Sequence, residues 1–247
     1  MIFQKRDLTP LAGKLAGWIA TRITNAFDVR VENLKVPSAG LSNETILFDL
    51  RYRQGKSESV EPLVLRACPT EHLVFPDYDL SLQWRVLLAL AATPVPVPRM
   101  RWAEPRPHVI GTPFYVMDRV EGLIPSDVPP YHAAGALRDA PPERRAAMWW
   151  SGIDTLAAIH RLDPAVLHLG FLEKRRFGGD PLEQELGYWS GYLDWAAGDA
   201  AHPTTRKALD WLRANRPASV RHRLCWGDAR LPNLIYQGER VAAVLDW

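Results

Sequence analysis

The first apolar positions of the chain recur at helical spacing. Five of them lie three or four residues apart: Leu11, Leu15, Trp18, Ile19 and Ile23. This is the period of one apolar face of an α-helix. Thr9 is the predicted N-cap, because the proline behind it is tolerated in a first helical turn. The segment LTPLAGKLAGWIATRI is therefore predicted to be a helix.

From Asp28 onwards the pattern alternates between apolar and polar residues, which is typical of half-buried strands. Two such runs are DVRVENLKV and TILFDLRYR, and a short apolar strand, PLVLRAC, follows after a further polar turn. A helical run, LSLQWRVLLALAAT, separates them from two further strand candidates: RMRWAE and FYVMDRVEG. Short strands joined by tight turns predict an antiparallel sheet of five strands with an accompanying helix.

Beyond Gly122 the pattern becomes mainly helical. Three amphipathic runs follow: PPERRAAMWWSGIDTLAAIHRLD, DPLEQELGYWSGYLDWAAG and TTRKALDWLRANR. Their tryptophans are predicted to be core or groove wall: Trp149, Trp150, Trp189, Trp195 and Trp211. The tail returns to short strands around a loop. This order predicts an α+β protein whose boundary lies near Val120 to Pro125, with one domain over 1–120 and a second over 121–247.

Composition and charge narrow the functional classes. The chain has 247 residues, of which 47% are hydrophobic and 23% charged, and its net charge is +2. These values are typical of a soluble globular protein and give no sign of a nucleic-acid partner. The run VLLALAA is too short to span a membrane, and early charges exclude a secretory signal. Cys68 and Cys225 form no CxxC pair, so we expect a reduced, cytoplasmic protein; pairing of the two cysteines is the alternative. No membrane partner is expected, and the oligomeric state is not readable from the sequence.

The candidate chemistry lies in the last segment of the chain, CWGDARLPNLIYQGERVAAVLDW. Asp228 is followed five residues later by Asn233, and a hairpin-like stretch then ends in Asp246. Carboxylate and amide oxygens at the mouth of a hairpin suit Mg²⁺, which takes few protein ligands and completes its shell with phosphates and water. A further carboxylate beside such a site would accept a proton from an alcohol.

The pattern GDARLPN…AVLDW resembles the aminoglycoside phosphotransferase-like family of the protein-kinase-like superfamily, whose catalytic loop reads H-G-D-x-x-x-x-N and whose metal loop reads I/L-D-W/F. The resemblance implies a two-lobed fold with an antiparallel sheet and a helix, then a mainly helical lobe. It implies transfer of the ATP γ-phosphoryl group to a small-molecule hydroxyl, with ATP and Mg²⁺ as cofactors. Asp228 would orient the hydroxyl and act as base, while Asn233 and Asp246 would hold magnesium.

The chain departs from this family at three positions. Trp226 stands where the family has a histidine, which puts the packing of the loop in question. Arg66, on the strand LVLRAC, occupies the position of the family's phosphate-pairing lysine, and arginine can also pair with phosphate. Gln83 occupies the position of the family's glutamate, which forms an ion pair with this cation. Either Arg66 is held differently, or an acidic residue replaces that partner: Glu71, Asp77 or Asp79.

Two stretches are predicted to bind the nucleotide. PSAGLSNET lies where the family places its nucleotide-covering loop, so three residues would meet phosphates: Gly40, Ser42 and Asn43. An ordinary hairpin turn is the alternative. In TPFYVMDRVEG, Met117 would face the adenine pocket, and the backbone of Asp118 and Val120 would bond the adenine edge. The alternative there is an interior strand that continues into a loop.

The chain ends at Trp247, whereas members of the family continue past the metal-binding aspartate. We therefore expect a fragment of a longer gene product that is poorly soluble or inactive by itself, and an extended version that is active. The acceptor is not readable. A hydroxyacyl thioester or a sugar is at least as compatible with the near-neutral charge as an aminoglycoside polycation. A non-catalytic nucleotide-binding fragment or pseudo-enzyme is the alternative; a protein kinase is disfavoured, since no activation segment follows Trp247.

Overall fold

Five antiparallel strands form a sheet in the first half of the chain, as the alternating pattern predicts. The computed structural model describes residues 7–37, 43–69, 73–198, 200–218 and 221–247. The strands are β1 (Ala26–Lys35), β2 (Glu44–Gln54), β3 (Ser57–Ala67), β4 (Met100–Glu104) and β5 (Phe114–Asp118). They are ordered β1-β2-β3-β5-β4, so β3 lies in the centre of the sheet.

Helix α1 (Leu8–Ala20) covers one face of this sheet and buries four of the five predicted apolar positions; Ile23 lies beyond its end and is partly buried against the same core. Its N-cap is Asp7, whose carboxylate accepts a hydrogen bond from the backbone N–H of Thr9 at 2.9 Å. The prediction that Thr9 caps the helix was wrong, because Thr9 already lies in the first turn. An aspartate satisfies a free N–H and also complements the positive end of the helix dipole.

Helix α2 (Leu80–Leu90) packs on the opposite side of the sheet and is capped by Asp79, which accepts from the backbone N–H of Ser81 at 2.9 Å. Its buried residues divide between two clusters. Leu80 and Leu87 join a cluster with β3 and β5, whereas Val86 and Leu90 join the core of the second half. The helix therefore connects the sheet to the helical part.

The second half is mainly helical, so the α+β class is confirmed. It contains α3 (Ala136–Asp139), α4 (Pro142–Arg161), α5 (Pro181–Ala197), α6 (Pro203–Ala214) and the hairpin of β6 (Leu234–Gln237) and β7 (Arg240–Val244). The four-residue α3 was not predicted. Over the described ranges, no helix has the length and apolar character needed to cross a bilayer. Both cysteines are free thiols.

The two halves meet where the chain leaves β5. Leu123 and Tyr236 form a β-bridge with both backbone hydrogen bonds at 2.8 Å. Gly122 is required beside it, since a Cβ there would lie 2.5 Å from the carbonyl oxygen of Tyr236. The bridge joins the segment that follows the sheet to the hairpin of the second half. The division into domains 1–120 and 121–247 stays a prediction.

The five helical tryptophans are not core residues, so that part of their prediction was wrong. Their exposed fractions run from 45% for Trp195 to 63% for Trp211. On α5 the rings pack on neighbouring aromatic rings of the same helix, with centroids 5.3 Å apart for Trp189 and Tyr192. Trp149 and Trp150 line a surface cavity, as a groove wall would.

Candidate active site

Asn233 and Asp228 are joined within one tight loop. A single turn of 3-10 helix, Leu231–Asn233, brings the Asn233 side chain back towards Asp228. Its Nδ2 donates to the backbone oxygen of Asp228 at 3.0 Å and to the carboxylate Oδ2 at 2.8 Å. Because two acceptors fix the orientation of the amide, the Asn233 Oδ1 is the atom left to bind a cation.

The carboxylate of Asp228 presents its two oxygens differently. Oδ2 accepts from Asn233 and also from the Nε of Arg230 at 2.9 Å. No donor in the described part of the chain reaches Oδ1, and the side chain is 57% exposed. Oδ1 is therefore the oxygen available to accept the proton of an incoming hydroxyl.

Asp246 lies directly after β7 in an unusual backbone conformation. Its φ of 55° is in the left-handed region, which non-glycine residues rarely adopt. The backbone N–H of Leu245 donates to the carbonyl oxygen of Asn233 at 2.9 Å. This bond ties the two predicted metal-binding segments together, so that Asn233 and Asp246 lie on neighbouring backbone.

Arg66 reaches this site from the sheet. On β3 its side chain alternates with Leu65 and lies on the face of Val64, opposite α1. Nη2 of Arg66 donates to Oδ1 of Asp246 at 2.6 Å, and the arginine side chain is 12% exposed. Its Nε is buried and has no acceptor within the described residues. A buried guanidinium with an unused N–H is a suitable partner for a phosphate oxygen.

The charge of Arg66 is maintained despite its burial. Burial lowers the pKa of the guanidinium, but the negative charges of the Tyr115 phenolate, which forms only at high pH, and of the Asp246 carboxylate outweigh that effect, so the pKa of Arg66 lies above its ordinary value. Burial likewise raises the pKa of Tyr115 to about 12, against the effect of Arg66. Tyr115 therefore stays a neutral hydrogen-bond donor beside a permanent cation.

Gln83 does not partner Arg66. Its Oε1 accepts instead from the hydroxyl of Tyr115 at 3.1 Å. Of the acidic alternatives, Asp77 pairs with Arg176 and Asp79 caps α2; Glu71 lies outside the described residues. The carboxylate that holds Arg66 is that of Asp246, which the sequence predicted as a metal ligand and not as the arginine's partner.

The predicted phosphate loop is described only at its end. Gly40 and Ser42 lie outside the described residues. The Oδ1 of Asn43 is buried without a hydrogen-bond partner within the described chain. The roles of Gly40, Ser42 and Asn43 stay predictions.

The predicted adenine contacts lie at the end of β5. Met117 is 7% exposed and packs in the cluster that includes Val64 and Leu87. The backbone N–H of Asp118 donates to the carbonyl oxygen of Arg99 at 2.9 Å, so this N–H is already used. The roles of Met117, Asp118 and Val120 towards adenine stay predictions.

Two charged residues near Asp228 were missed by sequence reasoning. Arg230 donates to Asp228 and, through Nη1, to Oδ2 of Asp127 at 2.5 Å. Asp127 lies 103 positions earlier in the chain. No local pattern relates residues so far apart. The only signal was the cation two positions after Asp228 inside the loop motif.

The oxygen atoms that Asn233 and Asp246 offer suit Mg²⁺ in number and type. Asp246 offers a carboxylate and Asn233 an amide oxygen on two segments joined by a backbone hydrogen bond, and the described residues contain no group of three or more His, Cys, Asp or Glu side chains that could hold a metal. Mg²⁺ commonly takes one or two carboxylates and obtains its remaining oxygens from phosphates and water. The unused N–H of Arg66 complements such a phosphate. The residues therefore fit a magnesium–nucleotide complex.

Comparisons with known proteins show the family and the fold of the chain. The model of the phosphotransferase enzyme family matches residues 33–247. A protein of Ralstonia eutropha described as a candidate aminoglycoside phosphotransferase has a TM-score of 0.63 and 25% identity, over 95% of this chain and 64% of that one. The aminoglycoside phosphotransferase APH(4)-Ia, solved as a thermostable mutant with ADP and hygromycin B, has a TM-score of 0.52 and 15% identity, over 95% of this chain and 70% of its own; this shows the kinase-like fold.

Curated relatives of a different name also match. Acyl-CoA dehydrogenase family member 10 of Mus musculus is 32% identical over 84% of this chain and 18% of its own length. Acyl-CoA dehydrogenase family member 11 of Homo sapiens is 29% identical over 87% of this chain and 27% of its length. The chain therefore spans less than a third of the length of these two relatives.

Proposed function

Because the chain belongs to the phosphotransferase enzyme family, we propose that it transfers the γ-phosphoryl group of ATP to a hydroxyl of a small molecule, with Mg²⁺ as cofactor. The observation that supports this most directly is the linkage of the three motif residues. Asn233 bonds to Asp228, and the residue before Asp246 bonds to Asn233. A base and two oxygen ligands are thereby held in one loop cluster.

The residues divide the chemistry among them. Oδ1 of Asp228 takes the hydroxyl proton while the acceptor oxygen forms a bond to the γ-phosphorus and the bond to the ADP oxygen breaks. Asn233 Oδ1 and the Asp246 carboxylate would hold Mg²⁺, which supplies charge neutralisation for the phosphates. Arg66 would bind a phosphate oxygen. Such catalysis depends on positioning and on charge stabilisation more than on covalent chemistry.

The acceptor we propose is a hydroxyacyl thioester. Two relatives are named as acyl-CoA dehydrogenase family members, which supports a shared acyl thioester chemistry in a longer protein. The net charge of +2 favours an anionic or neutral acceptor over a polycation. The structural relative solved with hygromycin B shows that this fold also accepts an aminoglycoside, so both classes belong in the test.

The test measures magnesium-dependent ADP formation and ³¹P NMR of the product, with hydroxyacyl thioesters, sugars and aminoglycosides as acceptors. It uses both the 247-residue chain and a version that continues past Trp247. Asp228→Ala should lower turnover by roughly 10²–10⁴, the usual contribution of a general base. Asp210→Asn, an exposed aspartate paired with Arg213, is the matched control and should leave turnover unchanged.

Three outcomes would contradict parts of the proposal. Equal turnover in wild type and Asp228→Ala would remove Asp228 from the mechanism. Nucleotide binding without transfer in both versions would favour the non-catalytic alternative. A preference for aminoglycosides over every thioester would overturn the proposed acceptor and leave the phosphotransfer intact.

A further inference from the structure

A chain of ion pairs leads from Asp228 to the segment that follows the sheet. The Nε of Arg230 donates to Oδ2 of Asp228 at 2.9 Å, and its Nη1 donates to Oδ2 of Asp127 at 2.5 Å. The guanidinium thus bonds one carboxylate along each of two edges. The side chains of Arg230 and Asp127 are 46% and 43% exposed, so the chain of ion pairs borders the solvent side of the site.

We propose that Arg230 is a positioning residue for Asp228 and that Asp127 anchors Arg230. The proposal rests on the proposed function, because it assigns the residues that hold its base. Asp127 lies outside the loop motif and the metal-binding motif of the sequence.

Asp228 needs a second point of support. The terminal torsion of an aspartate is broad and roughly two-fold, so one hydrogen bond does not fix the plane of the carboxylate. Asn233 supplies one donor to Oδ2 and Arg230 supplies another. With both donors on Oδ2, the plane is fixed and Oδ1 points away from them. A misplacement of about 1 Å at a reacting group can cost on the order of 10²-fold in rate.

Arg230 in turn needs Asp127. A single exposed ion pair contributes little, because a long side chain must lose rotamer freedom to form it. The guanidinium is a rigid planar fork, so bonding its second edge also orients the first. The segment that carries Asp127 is itself fixed, since Ser126 Oγ accepts from the N–H of Val128 at 3.1 Å and Leu123 is bridged to Tyr236.

The charge state agrees with this role. Burial tends to lower the pKa of Arg230, but Asp228 and then Asp127 outweigh it, so the pKa lies above its ordinary value. Arg230 therefore remains a cation whenever the site is active. The neutral variants in the test remove a charge that is always present.

The test compares Arg230→Gln, Arg230→Lys, Asp127→Asn and the double variant Arg230→Gln/Asp127→Asn, in the version of the chain that transfers phosphate. Arg206→Gln is the matched control, because Arg206 forms an exposed pair with Asp194 at 2.9 Å. The readouts are kcat, KM for acceptor and ATP, the nucleotide Kd and Tm. Asp228→Ala is assayed beside them.

We expect Arg230→Gln to lower kcat by roughly 10–100-fold and Asp127→Asn to lower it less, while nucleotide Kd and Tm match those of Arg206→Gln. Arg230→Lys should restore part of kcat. The double variant should be no slower than Arg230→Gln alone, because Asp127 acts only through Arg230.

An unchanged kcat in Arg230→Gln, or fully additive losses in the double variant, would overturn the proposal. A loss explained wholly by a lower Tm would also overturn it. Asp228→Ala separates this failure from that of the proposed function. If Asp228→Ala is inactive while Arg230→Gln is normal, only the positioning role fails. If wild type and Asp228→Ala transfer equally, the proposed function fails and the positioning role with it.

Discussion

The indole N–H of Trp226 donates to the carbonyl oxygen of Leu245 at 2.9 Å and lies 3.3 Å from that of Asp246. Trp226 is 5% exposed and packs in the core of the second half. The residue that departs from the family's histidine therefore holds the backbone on which Asp246 is displayed. Through this bond Trp226 packs the loop in the absence of the family's histidine.

Trp226→Phe keeps most of the ring and removes the N–H. A neutral hydrogen bond contributes about 0.5–1.5 kcal/mol, so the magnesium concentration for half-maximal activity should rise by roughly 2–10-fold. The measurement is a magnesium titration of phosphate transfer. Trp211→Phe, at a position 63% exposed, is the control. A titration identical to wild type would show that the indole N–H does not position Asp246.

Arg66→Met should weaken nucleotide binding, because a buried hydrogen-bonded charge is lost from the site. Hydrogen bonds to charged groups contribute about 1.5–3 kcal/mol, so the nucleotide Kd should rise by roughly 10–100-fold. Isothermal titration calorimetry measures it directly. The control is Arg53→Met, because Arg53 is exposed and its ion pair with Glu58 is long, at 4.0 Å. An unchanged Kd would exclude Arg66 as a phosphate ligand.

Gly122→Ala should destabilise the fold at the junction of the two halves. The added Cβ would meet the Tyr236 carbonyl oxygen at 2.5 Å, and overpacking typically costs about 1–3 kcal/mol. Gly17→Ala in α1 is the control, since its Cβ meets no atom within 4 Å. That variant should gain about 0.5–1 kcal/mol. Urea denaturation of both variants tests the difference, and equal stabilities would contradict the close approach.

Glu104→Gln should make stability less sensitive to acid. Glu104 is 6% exposed and accepts from the indole N–H of Trp18 at 3.0 Å. That bond lowers the pKa of Glu104 below its ordinary value of 4.5, although burial acts to raise it. The unfolded chain therefore binds a proton at Glu104 more readily than the folded protein does. The stabilisation that the ionised Glu104 contributes is present above pH 4.5 and is lost as the pH falls through the lower folded pKa.

The measurement for Glu104 is the free energy of unfolding between pH 7 and pH 3. Wild type should lose more stability over the acid part of this range than Glu104→Gln does. Glu239→Gln, at a half-exposed glutamate, should retain the wild-type slope. Parallel curves for wild type and Glu104→Gln would contradict the role of the Trp18 bond.

Local periodicity and a short motif allowed the strands and part of the candidate site to be predicted from the sequence. The alternating and apolar runs predicted β1 to β5, because side-chain burial on a strand follows its two-residue period. The ends agree to within two residues, except that β3 begins five residues before its predicted run and β5 ends four residues before its predicted run does. The loop motif predicted Asp228 and Asn233 as site residues; they lie five positions apart and are hydrogen-bonded to each other, and their roles stay predictions. A cap such as Asp7 was missed because it depends on one local hydrogen bond, and several residues compete for that role at a helix start.

Contacts between distant segments were not predictable in this way. Arg66 and Asp246 were each predicted as site residues from the sequence, but their direct pairing depends on the three-dimensional arrangement of sheet and hairpin. The same holds for Asp127 and Arg230. The exposure of Trp189 and Trp195 shows a further limit, since an amphipathic pattern does not tell whether an aromatic side chain packs into the core or along its own helix.

The pairing of Arg66 with Asp246 also bears on the order in which the molecule assembles. The two residues are 180 positions apart, and contacts of such long range form late, after local contacts have reduced the entropy of the intervening chain. We expect the sheet and the long helices to acquire structure first. The corner in which Arg66 meets Asp246 would be completed last, so that formation of this pair reports on whether the entire chain has folded.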